Sequence, residues 1–299
     1  MVDMNFSKVR LVVSEPSDVI RDELEAALGT HGFHSMLSTS RHGAIEEALG
    51  ATDVDCIICG HTTNPQDTQA FIQDIRHQRI GTNPVVVVFT LISDPQPQSI
   101  RQLVDSGCDS ILVKEGAVET LVKRLKQITL QRKPFVVTSE YIGPDRRDNQ
   151  RSFGEIVPLL KVPNPMYLRA IADEDSETIK TKIASVSQDI NLHKIARHIV
   201  QISWLTEHLV QTNQLNDTHT EIEDYLERLH TVIEDLYARA LHTCSPNVLE
   251  PCTHFGDFVF SISNNTPDRR SRHIEKLPQL AAGVRKVFRS HNTALHTFA

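Results

Sequence analysis

The chain has 299 residues, enough for two domains of ~100–200 residues, each with its own core. Its 39% hydrophobic and 23% charged residues describe an ordinary globular protein, and no apolar run approaches the roughly 20 residues that a membrane helix needs. The formal charge of −7 opposes a nucleic-acid binder that works through bulk electrostatics, so nucleic acid is not an expected partner.

The opening MVDMNFSKVR leads straight into a strand pattern and lacks the apolar core of a signal peptide, which predicts a cytoplasmic protein. Val9 to Val13 is a short apolar run, followed by a helical pattern with Val19, Ile20, Leu24 and Leu28 that stops at Gly29. The unit recurs with strands at Phe33 to Leu37, Val54 to Cys59, Val85 to Phe89 and Ile111 to Val113, each followed by a helix. Continuous apolar strands alternating with helices imply a five-stranded parallel sheet sandwiched by helices, because crossover helices take both faces out of water. Cys56 and Cys59 have CxxC spacing, but three residues apart on a strand they face opposite ways and belong to the core. With five cysteines in all, reduced thiols in a reducing compartment fit best.

Residues 131–152, containing YIGPDRR, read as a linker between the sheet domain (1–130) and a helical domain (153–299). A short apolar helix is expected near 153–161. An antiparallel hairpin of two long helices follows over about 176–242, turning at 214–217. Two helices bury little alone, so the hairpin needs the final segment 273–290, the sheet domain or a second copy to cover it, and a homodimer is the preferred reading. PDRR occurs at Pro144 to Arg147 and again at Pro267 to Arg270, and a helix start at each explains both without an internal repeat.

LHTCSPNVLEPCTHF offers a zinc candidate, His242, Cys244, Cys252 and His254, in a loop broken by prolines. The spacing is unlike that of common zinc knuckles, so the expectation is no metal and no cofactor. His193 and His198 raise the thought of a phosphotransfer helix, yet NLHKIARHIVQ lacks the residues that flank such histidines, and solvated helix histidines are expected instead.

Five strand–helix units, with Thr90 at the end of the fourth strand and Lys114 at the end of the fifth, resemble the flavodoxin-like receiver domain (CheY-like) of two-component response regulators. The resemblance covers a little under half of the chain. It implies a Mg²⁺ site built from an acidic pair after the first strand and a nucleophilic aspartate after the third, since Mg²⁺ prefers hard oxygen ligands. Here Ser14 and Glu15 stand for the acidic pair, and Asp55 takes an earlier, non-catalytic position. The acceptor position falls on Gly60, or on His61 if the loop is shifted by one; neither supplies a carboxylate. Ile111 replaces the aromatic switch residue and Glu115 the proline after the lysine.

The resemblance thus implies a pseudo-receiver with a vestigial site of Ser14, Glu15, Gly60, Thr90 and Lys114, no catalytic residue, and a non-enzymatic role in signalling. A protein partner is expected, a histidine kinase or another response regulator, with Tyr141, Arg146 and Arg147 of the linker able to dock on it. The rival readings are a phosphorelay member using His193 or His198 and a receiver-linked transcription regulator. The long helices and acidic balance oppose the second.

Overall fold

The computed structural model describes residues 4–41, 43–51, 53–60, 65–147, 157–214, 219–241, 243–244, 246–263 and 267–291. The first compact unit, Met1–Gln188, is built on strands β1 (Arg10–Ser14), β2 (Ser35–Thr39), β3 (Cys56–Gly60), β4 (Val87–Ile92) and β5 (Ser110–Val113). They form a parallel sheet in the order β2-β1-β3-β4-β5. Helices α1 (Asp18–Thr30), α2 (Gly43–Ala51), α3 (Pro65–Arg76), α4 (Pro97–Asp105) and α5 (Ala117–Leu130) alternate with the strands. The order reverses between β1 and β3, and at such a switch point open α/β sheets hold their ligand sites, just beyond the strands' carboxyl ends.

Alternation along the strands splits the core into two layers. Leu11, Val13, Ile58, Phe89 and Leu91 meet Leu24 and Leu28 of α1 and Leu121 and Leu125 of α5. Val12, Ile57, Val88 and Ile92 meet Ile45 of α2, Ile72 and Ile75 of α3 and Leu103 of α4. Cys56 lies in the first layer and Cys59 in the second, and burial pushes both thiols up, that of Cys59 to about 12.

The segment expected to be a linker is folded in its described part. β6 (Phe135–Val137), β7 (Ile142–Pro144) and β8 (Leu159–Leu160) make a small antiparallel sheet in the order β7-β6-β8. α6 (Pro165–Ala170) follows, with Pro165 at its first turn, where the missing N–H costs nothing. The unit boundary therefore falls at 188/189 rather than near 152. Strands of two and three residues are too short to show a period of two, and their Gly-Pro step reads as a turn. The helix expected near 153–161 is corrected too: its described part, 157–161, contains no helix and holds β8. The first PDRR begins at the end of β7, so the helix-start account holds only for the second, which opens α10 (Pro267–Ile274).

α7 (Ser176–Gln214) is 39 residues long and begins within the first unit. The second unit, Asp189–Ala299, contains the rest of α7 with α8 (His219–Leu241), α9 (Pro246–Ser263), α10 and α11 (Leu277–His291). α7 and α8 run antiparallel, as the contacts of Asn191 with Arg239, His198 with Asp235 and His208 with Tyr225 require. The expected turn at 215–217 lies outside the described residues. The stripe of Ile195, Ile202, Leu205, Leu226, Leu229 and Leu236 is covered within the chain by Phe255 and Val259 of α9 and by Leu277, Val284 and Phe288 of α11. A second copy is thus not required to cover it. From Pro246 onward, the segment expected to be a proline-broken loop is helix α9, with Pro251 inside it. Val248, Cys252, Phe255 and Val259 recur every three or four residues, and their burial outweighs the proline. Among the described residues, no helix is long and apolar enough to cross a membrane.

Candidate functional site

At the switch point, Glu15 leaves the end of β1 with its amide donating to the Thr39 carbonyl of β2 at 3.0 Å. Its side chain is fully buried. Oε1 accepts hydrogen bonds from Lys114 Nζ at 2.9 Å and from the Ser17 amide at 3.0 Å, while Oε2 is buried without a hydrogen-bond partner among the described residues. Gly60 lies against that oxygen. A Cβ at position 60 would stand 1.9 Å from Oε2 and 2.7 Å from Cδ of Glu15. Any side chain there needs the volume that the Glu15 carboxylate fills.

The structure thus brings together Glu15, Gly60 and Lys114, with Ser14 buried at the end of β1. Thr90 is fully buried in β4, and its hydroxyl donates to the Ser110 carbonyl of β5 at 3.3 Å. Ile111 pairs with it across the β4–β5 ladder. His61 lies outside the described residues. One carboxylate held by one ammonium is a poor cage for Mg²⁺, which needs several hard oxygens. Among the described residues, no group of three or more His, Cys, Asp and Glu side chains could hold a metal.

The opposite, amino end of the sheet carries two buried ion clusters that sequence reasoning missed. Asp109, just before β5, accepts from Arg76 Nη2 at 2.9 Å, from Arg132 Nε at 2.8 Å and Nη2 at 3.0 Å, and from the Val88 amide at 2.9 Å. Burial alone would raise its carboxyl, but the charges of Arg132 and Arg76 outweigh it and hold the group below the usual range. Arg76 also donates to the Gly107, Pro84 and Val86 carbonyls, and Phe135 of β6 lies 5.2 Å from its guanidinium and 4.9 Å from that of Arg132. In the second cluster, Asp55 accepts from the Arg10 amide at 2.9 Å and from Arg169 Nε of α6 at 3.2 Å. Burial pushes this carboxyl up to about 6, against the pull of Arg169.

Both clusters tie residues beyond α5 to the sheet. The seat is close: Gly107 has φ +87°, and a Cβ there would meet the Ile142 carbonyl at 2.2 Å. Tyr141 donates its hydroxyl to the Pro144 carbonyl at 2.8 Å, Arg146 donates to the Cys108 carbonyl at 2.7 Å, and Arg147 pairs with Asp145 at 2.9 Å. Of the three residues expected to dock on a partner, Tyr141 and Arg146 thus brace the chain itself. The available signal was Arg76, Asp109 and Arg132 as charges close to apolar segments.

Of the zinc candidates, His242 lies outside the described residues. Cys252 is buried in the α9 core and His254 is exposed, because residues two apart on a helix diverge by about 200°. Cys252 and His254 therefore do not converge, and burial pushes the Cys252 thiol up to about 12. His193 and His198 are buried rather than solvated. His198 Nε2 lies 2.6 Å from Asp235 Oδ2, which also accepts from Arg239 Nε at 3.0 Å. Burial lowers the pKa of both histidines.

No protein-family model matches the chain, and no curated protein matches it. Among solved structures it is similar to HP1043, an orphan response regulator of H. pylori, at 18% identity with a TM-score of 0.36, over 40% of this chain and 96% of that one.

Proposed function

We propose that this chain is a signalling protein of the two-component type whose receiver-like domain acts through protein–protein contact without accepting a phosphoryl group. The observation that carries the reading is the Glu15 carboxylate, which fills the space over Gly60 and engages Lys114. The acceptor position after β3 is Gly60, and Glu15, the carboxylate beside it, is buried and held by Lys114. The sheet order and the placement of Lys114 support the receiver side of the reading. Incubation with a small-molecule phosphodonor and Mg²⁺ tests it. The intact mass stays unchanged; an acyl phosphate on any residue overturns the reading.

In this reading the helical half dimerises or docks on a kinase or another response regulator in the cytoplasm. Trp204, Leu241 and Phe260 stand about half exposed or more on the second unit, apolar side chains available to such contacts. Sedimentation velocity should give a dimer at concentrations on the order of 100 µM, weakened by Trp204→Ala or Phe260→Ala; a monomer under these conditions removes dimerisation from the proposal. A phosphorelay histidine is the weaker reading, since neither His193 nor His198 offers an open imidazole nitrogen to a partner domain.

A further inference from the structure

We infer that the cavity between α4, α5, β5 and the residues that follow α5 binds an organic phosphate of nucleotide size. The cavity has a volume of about 410 Å³, within the range of small-molecule sites. Its lining runs against the charge of the chain. In a protein of net charge −7, four cations, Arg124, Arg132, Lys133 and Arg146, line it with Asp109 as the one carboxylate.

That carboxylate is already committed to Arg76 and Arg132, and Arg132 spends its remaining donors on the Val85, Val86 and Pro163 carbonyls. The other three cations are only partly engaged. Arg124 donates to Gln127 Oε1 at 3.1 Å, Lys133 to the Asp145 carbonyl at 3.2 Å and Arg146 Nη2 to the Cys108 carbonyl at 2.7 Å and the Asp109 carbonyl at 3.4 Å. A guanidinium carries five N–H donors and an ammonium three, so each retains donors for an anion, and a guanidinium fork matches phosphate oxygens in pairs. Both arginines and the lysine are exposed, as a site loaded from solvent requires.

Ile100 and Val104 of α4 and Ile128 of α5 supply an apolar wall. A bare phosphate would leave that wall wet. A nucleoside phosphate places its base there and its phosphates among the cations. Such a ligand would join α4 and α5 to the segment fastened at Asp109, giving the domain an input other than phosphorylation. The inference does not depend on the reading of Gly60 and Glu15.

The test is calorimetry on the full chain at low salt with ADP and GDP as probes, adenosine and pyrophosphate as half-probes, and the variant Arg124→Glu/Lys133→Glu. Both substituted residues are exposed, and a thermal melt confirms that the variant folds. At least one nucleotide should bind with Kd below ~1 mM and raise the melting temperature, with the variant losing about tenfold or more and each half-probe binding more weakly than the nucleotide. Three results overturn the inference: neither nucleotide binds, the folded variant binds within about twofold of the parent, or pyrophosphate binds as tightly as ADP.

Discussion

The two ends of the sheet have opposite designs. At the carboxyl ends of β1, β3 and β5, where a receiver needs clustered carboxylates open to solvent, the described residues bring one buried carboxylate, paired with one lysine and pressed against a glycine. At the amino ends, where such a fold needs no chemistry, two aspartates are buried against arginines supplied from beyond α5. The charge that fastens the extension is buried and multiply bonded. A buried ion pair is weak evidence for net stability, yet it costs much to break and fixes one arrangement of the parts it joins. The extension is therefore best understood as part of the sheet domain.

Breaking that contrast at its strongest point gives the largest effect. Asp109→Ala leaves Arg76 fully buried without its carboxylate, and should cost about 3–5 kcal/mol in chemical denaturation of the chain. A loss under about 1 kcal/mol would show that the amino-end cluster does not hold the extension.

Asp55 comes next, through pH. Its folded pKa of about 6 lies above the ordinary 3.8, so its contribution to stability is fully present below pH 3.8 and is lost as pH rises through about 6. At about 1.36 kcal/mol for each tenfold in proton affinity, the loss is at most ~3 kcal/mol. Stability measured from pH 4 to 7 should fall by up to that amount relative to Asp55→Asn, and parallel curves for the two proteins would contradict the assignment.

The carboxyl end yields a smaller effect. Gly60→Ala forces Glu15 to move and should cost about 1–3 kcal/mol, an overpacking penalty that Glu15→Ala in the same chain relieves. Additive losses in the double variant would mean that the two residues do not compete for space. At the bottom of the scale, Arg147→Ala removes an exposed pair with Asp145 and should change the unfolding midpoint by no more than the equivalent of about 0.5 kcal/mol.

The sheet domain was legible because its strands, above all the wholly buried β3 and β4, write themselves as apolar runs, and α7 and α8 because their stripes persist over many turns. That Ser14, Glu15, Gly60 and Lys114 share one end of the sheet was legible because strand ends fix which residues meet. What could not be read was Glu15 turning over Gly60, since residues 45 apart meet there only through the β1–β3 ladder. Arg76, Asp109 and Arg132 are single charges whose pairing exists only in three dimensions. The extension was missed because its strands carry no periodicity, and α9 because Pro251 masks an apolar repeat.

Mg²⁺ titration of the full chain, followed at the Gly60 amide by NMR, tests the closed carboxyl end most directly. With one carboxylate already held by Lys114, the amide should not shift below ~10 mM Mg²⁺, the insensitivity expected of a site short of oxygen ligands. A saturable shift at ~1 mM or below, lost in Glu15→Gln, would show that Glu15 opens to a metal and would contradict the account.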